Sequence, residues 1–334
     1  MTTVAAPGSQ GFEGLRPVNL SRDLGELADF IELVFRPGMD QAGRDAVRDM
    51  RLLDRSGLGA LPGMSDIVQG MGHGFVWITQ GRIVGNISLF AANRPRPDTW
   101  LIANVGVHPD YRRRGIGDRL VAAAIESIRR RAGRLALLQV DTDNRTARRL
   151  YARHGFVDER AWTHWRRDSH IRSLPPAPPV APRISRPART EWRAEYELAR
   201  RLRPPERGGL GWQRPTQRDQ FRRPLTQRLA DWLNLRAQER LVLRTADDTR
   251  LLASLRIEHG LLGGAATLTL LVDESQRAEH AALLLGTALR RFGAGRQALL
   301  MEHPADEEVV NRVLRSLHFR PLREVLHMRL ELMP

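Results

Sequence analysis

Between Arg172 and Arg189 six prolines (Pro175, Pro176, Pro178, Pro179, Pro182 and Pro187) are crowded among Ala, Ser and Arg. Proline fixes φ and removes a backbone donor, so such a stretch is barred from a helix or a central strand and reads as an extended, semi-rigid linker. It cuts the 334-residue chain nearly in half. The two halves then repeat one order of elements at a spacing of about 162 residues, which is the signature of an internal duplication. In the first half, Leu24, Leu27, Ile31 and Val34 recur at helical spacing after a cap expected at Ser21, and a second helix is expected within 41–53. A hairpin follows, Phe75–Thr79 and Arg82–Phe90 around Gln80-Gly81, then a strand at Trp100–Val107, a helix over 117–131, a strand at Leu135–Val140, a helix over 144–154 and closing strands from Phe156. The second half predicts helices within 191–202 and 217–233, a hairpin of 241–244 with 250–258, and a strand at 266–272. A helix over 278–292, a strand at 298–303, a helix over 307–317 and a last strand region from Phe319 complete it. Gly133-Arg134 is echoed by Gly295-Arg296, and Leu137-Leu138 by Leu299-Leu300. The expected architecture is α/β with mixed sheets, in two domains, 1–171 and 190–334, joined by the linker 172–189.

Several chemistries are excluded by composition. The chain has no cysteine and no lysine, its 53 basic residues all being Arg. Thiolate nucleophiles, disulfides, cysteine metal sites, Schiff-base lysines and the lysine-containing phosphate loop therefore fall away. No apolar stretch approaches the roughly 20 residues of a membrane helix, and the N-terminus carries no secretory pattern, so a cytoplasmic location is expected. The net charge of +15 raises the question of nucleic acid. The excess is spread evenly, +7 up to Arg172 and +8 after it, with no basic tail and no interleaved aromatics. A solvated surface is the expected reading, without specific nucleic-acid binding.

The informative run is Val105-Gly-Val-His-Pro-Asp-Tyr-Arg-Arg-Arg-Gly-Ile-Gly-Asp-Arg-Leu120. A strand ends at Val107, a loop with Arg112, Gly115 and Gly117 follows, and a helix begins at once. Successive backbone N–H groups at a helix N-terminus, with glycines that let the backbone approach, make a site for phosphate or pyrophosphate. Arg112 and the two glycines form Arg-x-x-Gly-x-Gly, and about thirty residues later comes Asn144-Arg-Thr-Ala-Arg-Arg-Leu-Tyr-Ala-Arg-His-Gly-Phe156.

Together these motifs closely resemble the acyl-CoA-binding core of the GNAT superfamily of N-acetyltransferases, over roughly Trp100–Phe156. The resemblance implies acetyl-CoA as co-substrate, without a metal. It implies that the amides of Arg113, Arg114, Gly115, Ile116 and Gly117 cradle the pyrophosphate, with Arg112 stabilising the loop or the phosphates. It further implies that the strand ending at Val107 splays from its neighbour, so that Val105, Gly106 and Val107 bind the pantetheine arm and polarise the thioester carbonyl. Asn144 matches the family asparagine that caps the next helix, and Tyr151 the tyrosine that protonates the departing thiolate. Relatives with a carboxylate base place it near Leu101, which cannot accept a proton. Asn104 is no base either, which leaves a water relay or His73, His108, Asp141 or Glu32 as candidates, with a structural role favoured for His108.

At the 162-residue offset Gly115 and Gly117 fall on Arg277 and Glu279, and Tyr151 falls near Val313 or Leu314. The second domain is therefore expected to be a degenerate GNAT-like copy, in a layout similar to tandem members such as mycothiol synthase but with the intact motif in the first half. The expected activity is acetyl transfer to the primary amine of a small molecule by direct attack. Protein N-acetylation and non-catalytic binding of acyl-CoA or nucleic acid stand as alternatives. The expected partner is a small-molecule amine acceptor, with no membrane and with a homodimer left open.

Overall fold

The computed structural model describes residues 12–39, 41–56, 73–92, 98–175, 184–188, 190–204, 208–211, 216–222, 235–245, 247, 250–261, 263–274, 276–292 and 297–332. The chain forms two compact units: Met1–Val140 with Asn144–Asp158 and Met328–Pro334, and Asp141–Asp143 with Glu159–His327.

The first unit opens with a short strand, β1 (Gly14–Pro17), and two helices, α1 (Leu20–Phe35) and α2 (Gln41–Ser56). Leu24, Leu27 and Ile31 lie on the buried face of α1, as their spacing predicts, together with Ala28 and Phe30, while Val34 is only half-buried. The cap, however, is Asn19 and not Ser21: Asn19 is extended (φ −114°, ψ 101°) and its side chain accepts from the Ser21 N–H, whereas Ser21 already lies inside the helix. Asp23, in the first turn, accepts both Nη groups of Arg16 at 2.6 and 2.7 Å and the Asn19 N–H at 2.8 Å, which ties β1 to α1.

The strands β2 (Phe75–Thr79) and β3 (Arg82–Ala91) turn at Gln80 and Gly81, whose φ of 51° and 73° are what a two-residue hairpin of the right twist requires. After β4 (Thr99–Val107) come α3 (Ile116–Arg130), β5 (Leu135–Asp141) and α4 (Arg145–Arg153). The sheet order is β1-β2-β3-β4-β5, antiparallel except for the parallel pair β4–β5. Leu120, Val121, Ala124, Ile125 and Ile128 of α3 are buried. The chain's last residues complete this unit, with the Leu332 N–H donating to the Arg134 carbonyl at 2.8 Å.

The second unit holds β6 from Glu159 onward (β6 is Val157–Arg167), β7 (Ile184–Ser185), α5 (Trp192–Leu202) and the four-residue α6 (Asp219–Arg222). Then come β8 (Arg236–Arg244), β9 (Leu251–Gly260), β10 (Ala266–Val272), α7 (Arg277–Phe292), β11 (Leu299–Pro304), α8 (Glu308–Ser316) and β12 (Arg320–Glu331), which belongs to this unit as far as His327. Its order is β6-β11-β10-β9-β8-β7, again with one parallel pair, β10–β11. Leu255, Ile257, Leu268, Leu284, Leu285, Leu299 and Leu314 are at the centre of its core.

Both units thus have the same plan, a hairpin, a parallel strand pair and a helix after each strand of that pair. Their division differs from a linear cut at 172–189. The strand after α4 passes into the second unit at Glu159, and the strand after α8 passes into the first at Met328. Of the proline-dense stretch, residues 176–183 and 189 lie outside the described residues. Ile184 and Ser185 just beyond form a strand on β8. The helix expected within 217–233 is described only as α6; residues 223–234 lie outside.

Candidate active site

The site grows from the place where β4 leaves its parallel partner. β4 pairs with β5 from Thr99↔Leu135 to Ile102↔Leu138 and no further. On its other edge the register shifts: Ser88 of β3 faces Ala103, but Asn86 faces Gly106, so β4 carries one extra residue. The bulge is centred on Asn104, at φ 51°. Gly106 and Val107 stay paired with β3 on one side, with Val105 in the bulge before them, while on the other side no strand pairs with the three among the described residues.

The loop after β4 is held by its own side chains. Pro109–Tyr111 form a 3-10 turn, and His108 caps it, with Nδ1 accepting from the Asp110 N–H at 3.3 Å. Arg112 Nε donates to the Val107 carbonyl at 3.3 Å, and Arg114 lies over the Tyr111 ring and donates to the Asp110 carbonyl at 3.2 Å. Arg113 (φ 62°) and Gly115 (φ 77°) then turn the backbone, and Gly115 becomes the N-cap of α3.

None of the N–H groups of Arg113, Arg114, Gly115, Ile116 and Gly117 has a hydrogen-bond partner among the described residues. A Cβ on Gly115 would meet nothing within 4 Å, so the glycine there serves the left-handed backbone. A Cβ on Gly117 would find only ordinary contact with Leu150 Cδ2 at 3.4 Å, so its packing does not call for glycine; the missing side chain keeps the helix end bare. Orphan donors, the positive end of the helix dipole and bare glycines fit a bound diphosphate. Asp118, the acid of the first turn, is tied to His154 Nε2 at 3.0 Å and to Arg153 at 3.6 Å.

Leu150, over Gly117, places α4 beside this cradle. Asn144 caps α4, its Oδ1 accepting from the Ala147 N–H at 3.1 Å. Tyr151 is buried edge-on to Phe156, ring centroids 6.0 Å apart. Desolvation pushes its pKa up, so the phenol stays protonated. Its hydroxyl has no protein partner among the described residues, yet it is not a sealed atom and so keeps an opening to solvent.

The four candidate bases are engaged elsewhere. Glu32 accepts from Arg51 at 2.5 Å and Arg36 at 3.2 Å, and these bonds, Arg51 first, hold its carboxyl below the usual range. His108 is the cap of the loop. His73 lies edge-on to Trp100 and 3.5 Å from Arg131 Nη2, and Asp141 stands 4.0 Å from Arg323. Leu101 is buried. Sequence reasoning missed Asn86 and Ser88, polar residues buried in β3 against the bulge. Because β3 is buried along most of its length, polar and apolar residues do not alternate there to reveal them.

The second unit corrects the register drawn at the 162-residue offset. Gln276 (φ 52°) immediately precedes α7 as Gly115 precedes α3, so Gly117 matches Ala278, and Glu279 matches the acid Asp118. A cradle spoiled by a misplaced glutamate is therefore not the difference. The loop is: residues 108–115 connect β4 to α3, but only 273–276 connect β10 to α7. Its acids are committed, Asp273 to Arg201 at 2.8 Å and Arg250 at 3.0 Å, Glu274 to Arg277 at 3.3 Å. Tyr151 matches Leu314, since the Phe156 N–H bonds to the Tyr151 carbonyl as that of Phe319 does to Leu314. Leu314 is fully buried and has no proton to give.

Asn144 matches Glu307, the residue before α8. Its carboxylate is buried among Arg203, Arg160 (3.0 Å) and His303 (3.1 Å). Burial alone would raise its pKa, but His303 and Arg203 hold it far below the usual range.

Among the described residues there is no group of three or more His, Asp or Glu that could hold a metal ion. No described helix is long and apolar enough to cross a membrane, which says nothing of membrane-spanning strands.

Residues 53–156 match the model of the acetyltransferase (GNAT) family. An uncharacterised N-acetyltransferase of Methanocaldococcus jannaschii is 32% identical over 96 residues, 28% of this chain and 42% of that relative, so the match spans less than half of the relative's length. Over nearly the whole chain the fold is similar to that of a GCN5-related N-acetyltransferase from Sphaerobacter thermophilus (TM-score 0.63, 18% identity, 96% of each chain). It is also similar to a tandem GNAT protein from the clavulanic acid biosynthesis pathway (TM-score 0.56, 19% identity, 96% of this chain and 98% of that one).

Proposed function

We propose, from the match of residues 53–156 to the acetyltransferase (GNAT) family and the fold shared over nearly the whole chain with a tandem GNAT protein, an N-acetyltransferase that moves the acetyl group of acetyl-CoA to the primary amine of a small molecule, in its first unit alone. The observation that carries this reading is the run of five unpartnered N–H groups from Arg113 to Gly117 at the start of α3, beside a strand edge that has left its partner. Acetyl-CoA supplies an activated thioester. Arg113, Arg114, Gly115, Ile116 and Gly117 bind its pyrophosphate through backbone donors that are fixed before the ligand arrives. Arg112 acts on the loop, through its bond to the Val107 carbonyl. Val105, Gly106 and Val107 offer main-chain groups to the pantetheine arm and a donor to the thioester carbonyl, where negative charge grows as the amine attacks. Asn144 holds the start of α4 and so the height of Tyr151.

Tyr151 faces the departing sulfur. A phenol with a raised pKa is a weaker acid than an ordinary thiol, which titrates at about 8.5. Tyr151 therefore works chiefly by hydrogen bonding to the sulfur as charge appears on it, and passes its proton only as the attacking nitrogen, cationic once the C–N bond has formed, releases one on the way to the amide. With all four candidate bases engaged, deprotonation of the amine is assigned to water at the open edge of β4. A cytoplasmic setting, where acetyl-CoA and free amines meet, belongs to the same proposal.

Calorimetric titration with acetyl-CoA tests binding, with one site per chain expected. Thiol release from acetyl-CoA across a panel of primary amines tests transfer. No binding, or two equivalent sites, refutes the reading.

A further inference from the structure

The reaction as drawn leaves unused the polar residues of β3 that stand against the bulge. Asn86 is completely buried and Ser88 is 1% exposed, amid the core residues Val84, Ile87 and Leu89. Asn86 Nδ2 donates to the backbone oxygen of Asn104 at 2.9 Å and to Ser88 Oγ at 3.3 Å. Asn104 Nδ2 in turn donates to Ser88 Oγ at 3.2 Å. Asn86 Oδ1 is sealed from solvent without a partner, and Asn104 holds φ 51°, in the left-handed region. A buried amide with an unmet acceptor and a left-handed non-glycine backbone both oppose folding, and an apolar pair on a regular strand would avoid both. Such costs gather where a particular geometry is needed. Here they gather at one point, the residues where β4 leaves β5.

The geometry of a single peptide plane says what is gained. The Asn104 carbonyl and the Val105 N–H share that plane and point in opposite directions. Asn86, by holding the Asn104 oxygen, fixes the opposite direction for the Val105 N–H.

We propose that Asn86 and Ser88 are positioning residues for acyl transfer, fixing through Asn104 the peptide plane that aims the Val105 N–H at the thioester carbonyl. The inference rests on the acetyl-CoA reading of the first unit. Ser88 serves as the common acceptor that keeps both amides in place. Among the described residues none of the three makes a hydrogen bond to the cradle of Arg113–Gly117, so affinity for the cofactor's diphosphate is expected to change little without them.

The test uses the full chain and acetyl-CoA labelled with ¹³C at the thioester carbonyl. A hydrogen bond to that carbonyl lowers its stretching frequency, which isotope-edited infrared spectroscopy reads directly. The wild-type chain is expected to lower it. Asn86→Ala, Ser88→Ala and Asn104→Gly are expected to bind acetyl-CoA within about threefold of wild type while losing at least half of the shift. Thiol release with any accepted amine should fall about tenfold or more in kcat, with KM for acetyl-CoA within about threefold. Ser88→Thr keeps the hydroxyl and should restore both. Should Asn86→Ala fail to fold, Ser88→Ala with its Ser88→Thr rescue decides, because it removes the common acceptor of both amides with the smallest change of volume. Variants that bind and keep the full shift overturn the positioning role and leave the acetyl-CoA reading intact, as does a wild-type chain that binds without any shift. A wild-type chain that does not bind acetyl-CoA overturns the functional reading first, and this inference with it.

Discussion

Two helices, α3 and α7, begin after equivalent strands of equivalent parallel pairs, each behind a residue of positive φ and each with an acid in its first turn. In front of α3 stands a connection of residues 108–115 that ties itself down with His108, Arg112 and Arg114 and leaves five N–H groups open. In front of α7 stand only residues 273–276, with carboxylates bound to arginines. At the start of the following helix the first unit has an asparagine cap, and the second has a buried ionic cluster around Glu307. The same backbone plan supports both. On the proposed reading, whether a unit takes a diphosphate depends on the length and side chains of one loop, which can change without disturbing the core beneath it.

The largest effect expected from breaking this contrast is on the ionic cluster. Glu307→Ala leaves Arg203 buried without its carboxylate, while Arg160 keeps Asp306, and should lower stability by about 3–5 kcal/mol, read from urea denaturation. A loss under about 1 kcal/mol would mean that the cluster is solvated and contributes little. Next is the cradle: Gly117→Glu places a carboxylate among donors that await an anion, and should weaken acetyl-CoA binding by at least about a hundredfold in calorimetry. Unchanged affinity would place the ligand elsewhere.

Tyr151→Phe removes only the hydroxyl that Leu314 never had. It should lower kcat for thiol release by about 10- to 100-fold with little change in the KM for acetyl-CoA, an effect confined to the transition state. Full kcat in Tyr151→Phe, beside an unstable Tyr151→Ala, would make the tyrosine a packing residue like its counterpart.

The smallest effect concerns acid. Burial, helped by the neighbouring His164, lowers the pKa of His327 to about 4, from 6.5 in the unfolded chain. As pH falls the unfolded chain takes up this proton first, so the stability from a neutral His327 is complete above about pH 6.5 and lost progressively down to about pH 4. His327→Gln should flatten this part of the urea midpoint against pH. An equally steep profile in the variant would assign the acid sensitivity to other groups.

Much of this protein is local chemistry and can be read from the chain. Hydrophobic periodicity locates α1, α3, α4 and α7 to within a residue or two, and Gln80-Gly81 and Ala266–Val272 are found where turn and strand preferences put them, because each depends on neighbours a few positions away. The cradle is legible for the same reason, since a strand end, two glycines and a helix start are contiguous. The short strands β1 and β7 escape such a reading, as do the unit boundaries at Glu159 and Met328, because strand pairing is chosen between segments far apart in sequence and alternation cannot name the partner. The matching of Gly117 to Ala278 needed the positive φ of Gln276 as a landmark, since a fixed offset cannot register a shortened loop. The chain by itself therefore determined the elements, their repetition and the phosphate-cradle motif. Only the tertiary structure decided where β4 parts from β5, that Asn86 and Ser88 pin the bulge there, and that the place of the Asn144 cap is taken in the second unit by Glu307 and its arginine partners, because each of these is a contact between residues with no local signal for one another.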